Sequence, residues 1–260
     1  MQKGLTHYQL KWIGIIFMVI DHVNTNFGAQ LHWPLWVSLL ARFVAPLFVF
    51  MMVEGFFYTR NRKKYASRLL IGGFAMLGIN IAHNLLTHST FTHPITGQFD
   101  PFLVIQGNNI FLTLAWLFLF IWSIDTCRKQ TTWSRKLGFA SLALLLIPLI
   151  LFSEGGPYEL ILALVFYCFR GNLKRISLAI LTFSALLFIH AYLTYAQGGN
   201  GTFYQVFTFD NEYMIATVLP FLYAYNGKLG GRGTRFDKQF FYYFYPVHLV
   251  VIYIIKAFVG

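Results

Sequence analysis

The chain has 260 residues, of which 57% are hydrophobic and only 11% charged, and it carries a net charge of +11. A soluble domain of this size holds about 25% charged residues, so the composition excludes an ordinary water-soluble globule. The apolar residues gather in runs of roughly 15–23, the length a helix needs to cross about 30 Å of hydrocarbon. Lipid offers the backbone no hydrogen-bond partners, so such runs must be helices unless a barrel closes them. A barrel needs alternation of period two, and Leu142–Leu151 and Leu249–Ile255 do not alternate. The expectation is an all-α, polytopic membrane bundle forming one domain over residues 1–260.

In chain order, about nine spans are predicted: 12–27, 36–58, 69–88, 109–125, 137–152, 158–169, 176–195, 212–225 and 239–258. The sixth and eighth are short enough to be tilted or re-entrant. Asp21 and His22 inside the first run argue against a cleavable signal peptide. Cys127 and Cys168 fall at ends read as cytoplasmic and follow no metal or redox spacing.

Lysine and arginine set the orientation. One set of loops holds Arg60, Arg62, Lys63, Lys64 and Arg68, then Arg128, Lys129, Arg135 and Lys136. It continues with Arg170, Lys174 and Arg175, and closes with Lys228, Arg232, Arg235 and Lys238. The opposite loops, 28–35, 89–108, 153–157 and 196–211, contain neither residue type. The N-terminus, with Lys3 and Lys11, is therefore expected inside and the C-terminus outside, in a bacterial cytoplasmic membrane. The positive charge reads as this bias plus attraction to the lipid bilayer, and no basic segment is long enough to suggest a nucleic-acid partner.

Ionisable residues within spans are costly and usually functional. Lys11 and His22 are eleven positions apart, which returns to nearly the same helix face about 16 Å further on. A snorkelling lysine and a hydrogen-bonded core histidine are the bland alternative. Asp21 and Arg42 fall at similar depths, so an ion pair between them is expected, serving either as a clamp or as part of the chemistry. Glu54 opens a stretch running into Arg60, Arg62, Lys63 and Lys64, a cluster suited to donor phosphates or simply to a solvated loop. Further polar groups gather toward the outer halves of other spans: Asn80, His83 and Asn84; Asn108, Asn109 and Thr113; His190; Glu159 and Glu212. Together they suggest a wet cavity. Tyr245-Pro246-Val247-His248 adds a proline that loosens the last span. The eight histidines include no His-Glu-x-x-His, and the spacing of His83 and His88 does not align them on one face. No metal is expected.

Several of these blocks resemble TraX-type membrane proteins. They are Leu10-Lys11-Trp12 through Met18-Val19-Ile20-Asp21-His22, Arg42 to Pro46, Glu54 to Asn61, Asn109 to Leu114, Tyr225-Asn226-Gly227-Lys228, and the aromatic run from Phe240 into Tyr245-Pro246-Val247-His248-Leu249. That family is associated with acetylating the N-terminus of conjugative pilin, and the Lys11–His22 spacing is similar to a basic-x10-His signature of acyltransferase-3 membrane enzymes. The resemblance implies transfer of an acetyl or other acyl group from cytoplasmic acyl-CoA to a peptide amine, or to a glycan or lipid hydroxyl, at the outer side. It implies His22 as general base with Asp21 or Arg42 orienting it or stabilising an oxyanion. Lys11, Glu54, Arg60, Arg62, Lys64 and Lys228 would face the donor, acetyl-CoA, and His83, Asn84, Asn109, Tyr245 and His248 the acceptor. A transporter using the polar cavity, and a non-enzymatic assembly factor, are the alternatives.

Overall fold

The computed structural model describes residues 4–87, 91–93, 97–198 and 201–259, without the side chains of Arg235 and Lys238. Lys3 and His88 lie outside the described residues. The helices, in chain order, are α1 (His7–Phe27), α2 (Val44–Tyr58), α3 (Arg62–Leu86), α4 (Pro101–Ile105), α5 (Ile110–Lys129) and α6 (Trp133–Leu151). They continue with α7 (Gly156–Cys168), α8 (Leu173–Ala196), α9 (Phe203–Phe209), α10 (Leu219–Ala224) and α11 (Arg235–Val259). Two 3-10 segments, Leu35–Ala41 and Glu212–Val218, precede α2 and α10. Among the described residues β-pairing is limited to two isolated bridges, Leu5 with Tyr225 and Thr92 with Phe99. The protein is all-helical, as the apolar runs require.

Among the described residues, six segments are long and apolar enough to cross a membrane: Leu35–Tyr58, Arg62–Leu86, Ile110–Lys129, Trp133–Leu151, Leu173–Ala196 and Gln239–Val259. The other three predicted spans map onto different objects. The first is α1, a continuous helix of 21 residues, whose Lys11, Asp21, His22, Asn24 and Asn26 dilute its hydropathy. The sixth is α7, whose 13 residues extend about 20 Å at 1.5 Å per residue. The eighth is divided between the 3-10 segment Glu212–Val218 and α10.

The chain forms two compact units, Met1–Val53 with Ile161–Phe241, and Glu54–Leu160 with Tyr242–Gly260. The divisions fall within α2, α7 and α11.

In the first unit, α1 starts at a reciprocal cap: the Gln9 N–H donates to Thr6 Oγ1 and the Thr6 N–H donates back to Gln9 Oε1 at 2.9 Å. The next donors are taken by a loop. The His7 and Tyr8 N–H groups donate to the Lys228 and Leu229 carbonyls at 2.8 and 2.9 Å, while Gly230, at φ +64°, lies so close to Thr6 that any Cβ would collide with it. Aromatic pairs fill the interior behind this cap, among them Trp12 with Phe240, Phe43 with Phe221 and Phe48 with Phe241.

In the second unit α5 is the central helix. Most of its membrane-length window is buried (61%), whereas α6 buries 17% and presents Leu144 and Leu145 outward, as a lipid-facing helix must. Gly73 permits the close approach of α3 to α5, since a Cβ there would meet the Leu112 backbone at 2.9 Å. Asn61 caps α3 by accepting the Lys64 N–H at 2.9 Å, and Asn109 caps α5 by accepting the Leu112 N–H at 3.2 Å.

Candidate functional site

Among the described residues, polar side chains gather inside the helices of each unit. In the first unit, His22 is buried, with 6% of its surface exposed, on the unbroken α1. Its carbonyl accepts the Asn26 side-chain amide at 2.8 Å. Beside it, Asp21 Oδ1 meets Arg42 Nη2 at 3.3 Å, the ion pair expected from depth alone. Arg42 lies in the turn where the 3-10 segment passes into α2, and its Nε donates to the Ser38 carbonyl at 3.2 Å. A 3-10 stretch leaves carbonyls with poor intrahelical partners, so the same guanidinium satisfies the helix junction and the aspartate. Sequence periodicity, which reads 36–58 as one regular helix, does not reveal that break.

Lys11, one turn into α1 and ahead of the apolar run that starts at Trp12, holds its Nζ 5.1 Å from the Phe241 ring centre. It lines a small cleft with Tyr8, Trp12, Ile15, Phe236, Asp237 and Phe240. Burial lowers the Lys11 ammonium to about 8, with the Asp237 carboxylate opposing that shift. The same burial, helped by Lys11, lowers His7 to about 4. Asp237 accepts the N–H groups of Arg232 and Thr234 at 2.8 and 3.3 Å. Lys228 is exposed in the same unit. His190, also in this unit, is exposed, and Glu212 begins the second 3-10 segment.

The second unit gathers the residues expected to face an acceptor at the C-terminal end of α3 and the N-terminal end of α5. Asn84 Nδ2 donates to the carbonyls of Leu103, Val104 and Gln106 at 3.2, 3.0 and 2.8 Å. Asn80 donates to the Asn108 carbonyl and accepts from the Tyr253 hydroxyl, both at 3.2 Å. His83 stacks on Tyr253 with ring centres 4.0 Å apart. Asn109 Nδ2 donates to the Gly73 carbonyl at 2.9 Å, and the Ile110 N–H donates to the buried Tyr245 hydroxyl at 3.2 Å. The Asn109 N–H donates to the Glu154 carboxylate, and Thr113 Oγ1 donates to the Glu154 carbonyl at 2.9 Å. His248 pairs through Nδ1 with the Phe244 carbonyl at 3.0 Å. A carbonyl can only accept, so that nitrogen carries the proton.

Glu154 and Tyr253 are members of this group that sequence reasoning did not single out. A glutamate in a glycine-rich loop reads as solvated, and only the packed α5 terminus shows what it binds.

The basic residues are divided among different environments. Arg62 Nη1 pairs with Asp125 at 2.9 Å, Lys129 pairs with the same carboxylate oxygen at 2.8 Å, and the Arg62 guanidinium lies 3.8 Å from the Phe56 ring centre. Asp125 went unremarked in the sequence, although its four-residue spacing to Lys129 is a readable signal. Arg60 and Lys64 are exposed, while Glu54 is buried within α2. Among the described residues no group of three or more histidine, cysteine, aspartate or glutamate side chains converges as a metal site would.

The TraX family profile, described as "TraX protein", matches residues 6–256. A curated relative, the "Probable fimbrial assembly protein FimC, serogroup H1" of Dichelobacter nodosus, is 29% identical, and the alignment covers 96% of each chain. No solved structure matches. With nearly its whole length inside the family profile, this helical membrane protein belongs to the TraX family.

Proposed function

We propose that the protein is a membrane-embedded acyltransferase of pilus assembly, taking an acetyl or similar acyl group from acyl-CoA to an amine or hydroxyl. The observation that carries this reading is α1 itself: one unbroken helix holds Lys11 near its start and the buried His22 three turns later, next to the Asp21–Arg42 pair. The name of the fimbrial relative supports a role in surface-fibre assembly.

His22 accepts the proton of the attacking amine or hydroxyl as the new bond to the acyl carbon forms. Collapse of the tetrahedral intermediate breaks the carbon–sulfur bond, and the imidazolium returns its proton to the departing thiolate. The Arg42 guanidinium, held by Asp21, supplies positive charge for the developing oxyanion. Donor phosphates require exposed cations. Lys228 in the first unit and Arg60 and Lys64 in the second are exposed, and replacing them separately decides between the two sets. Arg62 is already occupied by Asp125 and Phe56. The orientation that follows from this reading puts the basic loops in the cytoplasm.

Purified protein in lipid nanodiscs, supplied with acyl-CoA and an amine acceptor, tests the proposal. His22→Ala should cut turnover by about 100-fold or more, the contribution of a general base, while retaining the affinity for an acyl-CoA analogue. Charge removal at the true phosphate-holding residues should weaken donor binding and leave the bound-state rate near normal. Near-normal turnover in His22→Ala would remove His22 from the chemistry. Transport is favoured as the second reading by the buried polar group of the second unit, and it predicts solute flux without CoA release.

A further inference from the structure

Glu159, in the first turn of α7, has 4% of its surface exposed. Its Oε2 is fully buried and has no hydrogen-bond partner, and no lysine, arginine or histidine pairs with it among the described residues. An ionised carboxylate in that state carries a large desolvation cost. Protonation removes the charge but leaves the neutral acid's O–H without an acceptor, because Oε2 has no hydrogen-bond partner.

The nearest acid compounds the problem. Glu154, five residues earlier, repels Glu159 electrostatically. Glu154 itself is exposed, and its carboxylate accepts the Asn109 N–H at the start of the 20-residue α5, where a helix terminus favours negative charge. The α5 terminus thus answers Glu154 and leaves Glu159 unanswered.

We propose that Glu159 anchors a site in the second unit for a compact monovalent cation, either an alkali ion or the –NH3+ head of a small amine. The chemistry of the surroundings fits that class. The neighbouring backbone offers oxygen: the Glu154 carbonyl accepts from Thr113 Oγ1 at 2.9 Å, and the Gly155 carbonyl accepts the Glu159 N–H at 3.0 Å. One uncompensated carboxylate matches one positive charge. A calcium ion would require six to eight oxygen ligands, several of them usually carboxylates, and no cluster of three such side chains exists among the described residues. Burial excludes bulky quaternary ions. The site is independent of acyl transfer and stands or falls without it.

The test uses the full-length protein in nanodiscs with no acyl-CoA present. Sodium, potassium and methylammonium are titrated at constant ionic strength against tetramethylammonium, with thermal unfolding and infrared difference spectra as readouts. A saturable rise in Tm with an alkali ion or methylammonium, absent with tetramethylammonium, is expected. Glu159→Gln should weaken that binding by about 100-fold, as for truncating one partner of a buried charge pair. A response to sodium or potassium alone assigns an alkali site, and a response to methylammonium alone assigns an amine site. Equal shifts in wild type and Glu159→Gln, or no ion-specific shift at all, overturn the inference. Should Glu159→Gln not fold, the wild-type spectra decide: loss of a protonated-carboxyl band on cation addition supports the site, and an unchanged spectrum overturns it.

Discussion

The first unit meets charge with charge. Asp21 faces Arg42 at 3.3 Å, and Lys11 lies near the Asp237 carboxylate and the Phe241 ring. The second unit meets its polar groups, at the end formed by the α3 C-terminus and the α5 N-terminus, mainly with backbone: Asn84 reaches three carbonyls, Asn109 the Gly73 carbonyl, and Glu154 and Tyr245 the first amides of α5. Both solutions sit mainly where a helix ends or changes type, because there the backbone releases donors and acceptors, and the Gly73 carbonyl inside α3 takes an added bond from Asn109. They differ in what they leave behind. An ion pair cancels its own charge, whereas a backbone network satisfies dipoles and cannot neutralise a surplus carboxylate such as Glu159.

Four substitutions would break or sharpen this contrast. The largest effect belongs to the ion pair. Asp21→Asn or Arg42→Gln alone should each destabilise by about 3 kcal/mol, the scale for one unpaired charge within a membrane span. The double variant should cost clearly less than the sum of the two, read by thermal unfolding in nanodiscs. Additive losses would show that the pair contributes no coupling.

Next comes the helix approach that positions the backbone network. Gly73→Ala must push against the Leu112 backbone, and overpacking of this kind costs about 2 kcal/mol. Hydrogen exchange at the α5 N-terminus should rise with it; unchanged protection there would separate helix spacing from the network. The smallest effect is expected of Tyr245→Phe, which leaves the buried Ile110 N–H without its acceptor. A loss of about 1 kcal/mol with the ion pair of the first unit undisturbed is the expected result. A neutral outcome would mean that water replaces the phenol.

Some of the candidate site was legible in the chain. Lys11 and His22 share α1, so a 3.6-residue period suffices to relate them, and the Asp21–Arg42 pair follows from counting residues to the same boundary. The gathering of Asn80, Asn84 and Asn109 was legible as a common level, though not as a network. What was illegible depended on partners from other elements. Asp125 looks solvated beside Arg128 and Lys129 until Arg62 reaches it across α3 and α5. Glu154 looks like a loop residue until the α5 terminus docks on it.

The all-helical architecture and the membrane environment were therefore properties of the chain alone, because hydropathy and backbone hydrogen bonding act along one segment at a time. The six membrane-length helices, the 3-10 entry into α2 and the short α7 were decided by packing. A run's apolar character states that it will be buried in lipid or protein, and only its neighbours determine how much of it remains a straight helix. Pairing of buried polar groups was decided at the same level. Hydrogen bonds and ion pairs act over about 3 Å, and residues as distant in sequence as Ile110 and Tyr245 come that close only when the helices have packed.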